Sequence, residues 1–280
     1  MAFTVRKLER SELPAALQVE QSAMSSGWYL EDVADLFFGD TAGAMLGAFD
    51  GDVLIGIAKY TVLYDHTAWL EILRVAKEHQ RRGAGRRLYQ EFEALSAQKG
   101  IKSMAMYTGV KNIASASLAR EFGLNTAGIY RELVLPLNQT IRAEPVQGFE
   151  PVNADRACTL LGALRERNKG FLIFNRTFMH MGEPLYRGLA AEGKVYWDEQ
   201  SGSVLVLGNR FLEKRSLQIG IMSGDYEKCL KFALYQAQQK GVPQLTVMIP
   251  EDDIFQQQVL EQQGYQVSAD LQVMEGPVKY

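Results

Sequence analysis

The chain repeats itself at a constant offset of 141 residues, and this limits its fold more than any single motif does. Gly100-Ile101 answers Gly241-Val242, each pair closing a helix-like segment and opening a strand-like one. Ser103 to Tyr107 answers Gln244 to Met248, Asn112-Ile113 answers Asp253-Ile254, and Gly123 answers Gly264. Coincident spacings without an insertion point to a duplicated domain. A chain of 280 residues has room for two domains of about 140. Pro136, Pro145 and Pro151 punctuate the stretch between the copies. The linker is therefore expected at about 136–151, and the domains at 1–140 and 145–280.

Each copy reads as strand, helices, a meander of strands, helix, strand, helix, strand. In the first copy, 3–8 is strand-like and 10–21 and 31–38 are helical. The segments 44–49, 53–63 and 68–75 form a meander turned at Asp50-Gly51-Asp52, a common hairpin signal. Leu88, Phe92 and Leu95 recur at helical spacing within 85–99, which stops at Gly100. A buried strand at 102–108, a short helix capped by Asn112 and ending at Gly123, and a last strand at 129–135 complete the copy. The expected fold class is α+β: an α/β/α sandwich in each of two tandem domains, each with a mixed, mostly antiparallel sheet flanked by helices.

Charge excludes several partners. The net charge is −3, with 15 Lys/Arg against 16 Asp/Glu in residues 1–140 and 15 against 17 in the rest, so neither half has the basic excess of a nucleic-acid binder. No apolar run reaches the roughly 18 residues of a membrane span. The N-terminus enters a strand-like alternation directly and does not read as a signal peptide. Cys158 and Cys229 sit in apolar-periodic segments and read as reduced core thiols. His66, His79 and His180 are scattered, which gives no metal site. A cytoplasmic protein, monomer or homodimer, is the expectation.

The run Gln80-Arg81-Arg82-Gly83-Ala84-Gly85-Arg86-Arg87 lies between a strand-like segment ending at Val75 and a helix-like one. Small residues at a helix start let a phosphate approach N–H groups that have no partner within the helix, where the helix dipole also favours an anion. This stretch reads as a diphosphate cradle.

With Leu73-Arg74-Val75 before it, and Asn112 followed by Gly123-Leu124 after it, the stretch resembles the GNAT superfamily of N-acetyltransferases. The resemblance covers residues 1 to about 135 in full, and topology only beyond about 145. It implies acetyl-CoA as cosubstrate and no metal. It also implies that the backbone of Leu73 and Val75 pairs with the pantetheine arm where the neighbouring strands splay. Gln80, Arg81, Arg82, Gly83, Ala84, Gly85 and Arg86 would hold the diphosphate, and Asn112 would touch the cofactor. At the constant offset the second copy has Ile221, Met222, Ser223, Gly224, Asp225, Tyr226 and Glu227 there. Positive charge gives way there to two carboxylates, Asp225 and Glu227, which predicts that the second copy binds no CoA.

Acetyl transfer to an amine needs a base, a polarised thioester carbonyl and a proton for the thiolate. The tyrosine that such relatives usually carry seven residues after the Asn is replaced here by Ala119. Glu71 is the candidate base; by period-2 counting it shares a strand face with Trp69, Leu73 and Val75. Tyr107, at the end of the neighbouring strand, is the candidate acid, ahead of Tyr130 and Ser115. Trp28 and Tyr29 are candidates for lining the acceptor pocket. Two readings result: an N-acetyltransferase of a small-molecule amine, active in the first domain, or a non-catalytic acyl-CoA sensor or interaction module.

Overall fold

The computed structural model describes residues 3–137 and 143–279; the linker residues 138–142, the first two residues and the last lie outside the described residues. The elements of the first copy are β1 (Thr4–Lys7), α1 (Leu13–Ala23), α2 (Leu30–Gly39), β2 (Ala44–Asp50), β3 (Val53–Val62), β4 (Ala68–Val75), α3 (Ala84–Lys99), β5 (Ser103–Gly109), α4 (Ile113–Glu121) and β6 (Asn125–Pro136). Those of the second are β7 (Phe149–Pro151), α5 (Ala154–Gly162), β8 (Phe171–Phe174), β9 (Thr177–His180), α6 (Glu183–Ala191), β10 (Val195–Asp198), β11 (Ser203–Gly208), β12 (Leu217–Ser223), α7 (Tyr226–Lys240), β13 (Gln244–Pro250), α8 (Ile254–Gln262) and β14 (Gln266–Pro277). From β5 and β13 onward the two copies match strand for strand and helix for helix at the offset read from the sequence. This is a mixed α+β fold, with helices against mixed sheets.

The chain divides into two compact units, Met1–Ala127 with Met274–Tyr280, and Gly128–Val273. This differs from a cut at 140 and 145. Most of β6 lies in the second unit, antiparallel to β13 from Tyr130↔Pro250 to Pro136↔Gln244. The end of β14 lies in the first, where Met274 and Val278 are buried in the core and the Val278 N–H bonds the Lys102 carbonyl. The corresponding last strands of the two copies have exchanged neighbours: β14 follows β5, and β6 follows β13. Alternation predicts that a strand exists; it does not name the partner, and two strands of equal length and similar pattern fit either place.

In the first unit, β1 to β4 run antiparallel, β5 joins β4 in parallel, and β14 follows β5. Ala84, Leu88 and Phe92 form the buried stripe of α3, packing on Ile55, Ala58 and Tyr60 of β3. Gly100 takes φ +66 just past α3, the left-handed stop that glycine allows. Met274 has no exposed surface in this core. Met274→Ala is therefore expected to destabilise the first unit by about 2–5 kcal/mol, measured by denaturant unfolding. A loss under about 0.5 kcal/mol would show that the exchanged strand does not carry this core.

A bulge in β4 overturns one expectation. Ile57 opposes Arg74 and Lys59 opposes Glu71, so Ile72 and Leu73 together face Ala58, and Ile72 takes φ +46. The extra residue reverses the alternation. Leu73 and Val75 join Leu70 in the core beneath α3 and α4. Glu71 instead shares the opposite face with Trp69 and Arg74, whose Nε reaches Met24 Sδ, just after α1, at 2.7 Å. Period-2 counting placed Glu71 with Leu73 and Val75, and the bulge is why that fails. The β4–β5 ladder covers Ala68 to Leu70 against Met104 to Met106 and stops where the bulge begins.

The sheet of the second unit runs β14-β6-β13-β12-β11-β10-β7, beside a separate β8–β9 hairpin. Here another expectation changes form. β12 continues to Ser223 and α7 starts at Tyr226, so Gly224-Asp225 alone connect them, where the first copy uses 76–83. Ile221, Met222 and Ser223, which the fixed offset sets against Gln80, Arg81 and Arg82, lie inside a strand. The loop is missing rather than substituted. Asp225 also caps α7 with its own carboxylate, accepting the Lys228 N–H at 3.0 Å.

Candidate functional site

The first unit holds an open channel of about 680 Å³ between the end of β4, the start of α3 and α4. Its walls bring together Leu73, Val75, Gln80, Arg81, Gly83, Ala84, Gly85, Arg86 and Asn112. Arg82 is the one predicted cofactor residue outside these walls: it turns away to pair with Asp50 at 2.8 Å and contacts His79 Nδ1 at 2.8 Å.

The N-terminus of α3 is shaped by its backbone. Gly83 sits at the N-cap of α3 with φ +98, and no side chain caps the helix there. Its first-turn N–H groups thus face the channel uncapped by a side chain, whereas α7 fills the same position with Asp225. A Cβ on Gly85 would come within 3.2 Å of Leu118, so glycine allows α3 and α4 to approach closely at this point. Arg86 is held by Glu121 at 2.8 Å, while Arg81 is exposed at the mouth with φ +59. The Leu73 and Val75 carbonyls each accept one side-chain donor, from Arg74 Nη1 and Gln80 Nε2, both at 3.0 Å. Each oxygen keeps a second lone pair for a ligand amide. Asn112 caps α4 by accepting the Ser115 N–H at 3.2 Å and also lines the channel.

A smaller chamber of about 160 Å³ opens beside the channel, where β4 leaves β5. Glu71 and Tyr107, on neighbouring strands, both line it, together with Tyr29. Glu71 is 5% exposed, and one of its oxygens accepts the Thr61 hydroxyl at 2.6 Å. Tyr107 stacks on Trp69 with ring centroids 6.3 Å apart, which puts it on the Glu71 face of the sheet. Burial first, then the fields of Tyr107 and Glu71, push the Tyr29 phenol well above its ordinary pKa, so it stays protonated. Trp28 is 44% exposed, and its indole donates to the Met24 carbonyl. Tyr130 lies in the second unit, donating to the Asn168 carbonyl at 3.2 Å.

Ala119 is fully buried in the core under α4. Sequence reasoning missed Tyr89, which lines both cavities. It adjoins Leu88 in the buried stripe of α3, and a helical wheel marks it as core and nothing more. Among the described residues no group of three or more His, Cys, Asp or Glu is placed to hold a metal. No helix of the described residues is long and apolar enough to cross a membrane.

Residues 5–124 match the family described as the acetyltransferase (GNAT) family. No curated protein matched the chain. Among solved structures, a GCN5-related N-acetyltransferase from Sphaerobacter thermophilus is 13% identical, with a TM-score of 0.69 over 99% of this chain and 96% of that one. A tandem GNAT protein from the clavulanic acid biosynthesis pathway is 12% identical, with a TM-score of 0.64 over 100% of this chain and 99% of that one. A GCN5-related N-acetyltransferase from Kribbella flavida is 14% identical, with a TM-score of 0.54 over 98% of this chain and 70% of that one. At these identities the likeness is one of fold.

Proposed function

Since this chain carries a GNAT acetyltransferase domain at residues 5–124 and has the tandem GNAT fold, we propose that its first unit transfers acetyl from acetyl-CoA to a small-molecule amine. The observation that carries this reading is the side-by-side placement of an uncapped α3 N-terminus on the channel and a buried carboxylate, Glu71, in the adjoining chamber. Acetyl-CoA would lie along the channel, with its diphosphate on the N–H groups at Gly83 to Arg86 and its pantetheine against Leu73 and Val75. The amine would enter the 160 Å³ chamber, a size that suits a small aliphatic amine. Glu71 would take the amine's proton, and Tyr107, on the same face, would hold the nucleophile or a relaying water toward it. The two free cysteines fit a reducing compartment, so we place the activity in the cytoplasm.

The second unit is proposed to bind no CoA. Titration of the full chain with CoA by calorimetry is expected to give one site per chain, and two sites of similar affinity would overturn this assignment. Thiol release from acetyl-CoA with a panel of amines tests the chemistry. Ala119 favours a second reading, an acyl-CoA sensor without turnover. CoA binding without thiol release for any amine would support that reading.

A further inference from the structure

Acyl transfer leaves a thiolate that needs a proton, and Ala119 offers none. The channel and the chamber share six wall residues: Leu73, Arg74, Tyr89, Met106, Asn112 and Ser115. A thioester threading from channel to chamber must pass between them. Of these side chains, Tyr89 alone is suited to donate a proton: arginine is not deprotonated in proteins, a serine hydroxyl is a far weaker acid, and the other three carry no acid.

The two faces of the sheet divide the reaction. Glu71 and Tyr107 lie with Trp69 on one face. Tyr89, Leu73 and Met106 belong to the core on the other, beneath α3 and α4. The sulfur arrives along the channel, whose walls are formed by α3 and α4, while the amine waits beside Glu71. Tyr107 is therefore on the amine's side of the gap, and Tyr89 on the sulfur's side. The Tyr89 ring is held in place, stacked on Phe122 at 4.8 Å and edge-on to Phe92 at 5.6 Å. Ala119 lies in this same cluster, to which α4 gives an alanine and α3 the Tyr89 phenol.

We propose that Tyr89 is the general acid of the reaction, taking the part that a tyrosine at position 119 would have played. The amine nitrogen bonds to the acetyl carbon, the C–S bond breaks, and sulfur takes the electron pair together with the Tyr89 hydroxyl proton. The amine's surplus proton goes to Glu71 and then to water, and Tyr89 is reprotonated from water in the channel. Burial raises the Tyr89 phenol's pKa above its ordinary value, which keeps its proton in place at neutral pH.

The inference rests on the acyl-transfer reading, so the test has one arm that needs no acceptor. In the full chain, the thiol of bound CoA is titrated by thiolate absorbance, with the desulfo-CoA complex as reference. Tyr89→Phe keeps the ring stack and is expected to bind CoA as the wild type does. It should raise the bound thiol's pKa by about one, a tenfold change in thiolate population, because the hydrogen bond to sulfur is lost. With an accepted amine, turnover should fall about 100-fold and KM for acetyl-CoA should stay within about twofold. Tyr107→Phe should leave the thiol's pKa unchanged. Wild-type values for Tyr89→Phe in both arms, or the thiol shift appearing in Tyr107→Phe instead, would overturn the proposal. A thiol shift without turnover of any amine supports Tyr89 and refutes the amine reading. Absence of CoA binding by the wild type removes both.

Discussion

Gly83→Glu is expected to reduce CoA affinity by at least about 100-fold. A Cβ at Gly83 would meet nothing within 4 Å, so the longer side chain is not excluded by packing. It would project from the N-cap of α3, and its carboxylate would cap the helix as Asp225 caps α7. The protein's own carboxylate would then stand where the diphosphate is proposed to bind. The backbone sets a separate, smaller penalty: at φ +98 any L-residue is strained by about 1 kcal/mol. Gly83→Ala carries that strain without the charge, and calorimetric titration of both variants separates the two contributions. Equal losses for Ala and Glu would place the diphosphate elsewhere. Wild-type affinity for Glu would remove this loop from the site.

Glu71→Gln is expected to lower turnover by about 100-fold or more across roughly pH 6–9, with CoA affinity unchanged. The amide oxygen of glutamine still accepts the Thr61 hydroxyl, and the side-chain volume is conserved, so the chamber keeps its shape. What is lost is a basic oxygen on the amine's side of the gap. Steady-state kinetics and a CoA titration on one preparation decide the matter. Turnover within threefold of wild type would take Glu71 out of the proton path and leave positioning as the source of the rate.

Much of this was legible in the sequence, for physical reasons that also mark where legibility stopped. The elements of the first copy follow from alternation, helical spacing and glycine stops, and the turn into α3 at 80–87 is a local motif whose geometry needs no distant partner. The bulge at Ile72 was not legible. A β-branched residue is a poor candidate for positive φ, so nothing in Leu70-Glu71-Ile72-Leu73 signals the reversal that sends Glu71 and Leu73 to opposite faces. The shortened loop of the second copy was hidden by the rigid offset, which holds on the C-terminal side of the deletion and silently misaligns the strand before it. Tyr89 was missed because burial and catalysis make the same demand on a helix stripe. Only the walls of two adjoining cavities distinguish it from Leu88.

The last strand has a consequence for how the chain is made. The first unit is not complete until residues 274–280 have been synthesised, after the whole of the second copy. At ribosomal rates that leaves β5 without its final neighbour for on the order of ten seconds or more. Throughout that interval β6, already synthesised and of matching length, is the nearest strand able to pair there. Pairing β5 with β14 joins strands far apart in the chain, the kind of non-local step that slows folding. A second nascent chain can offer the same strand, so crowded polysomes favour intertwined dimers that are correct in every pairing and wrong in which molecule supplies it.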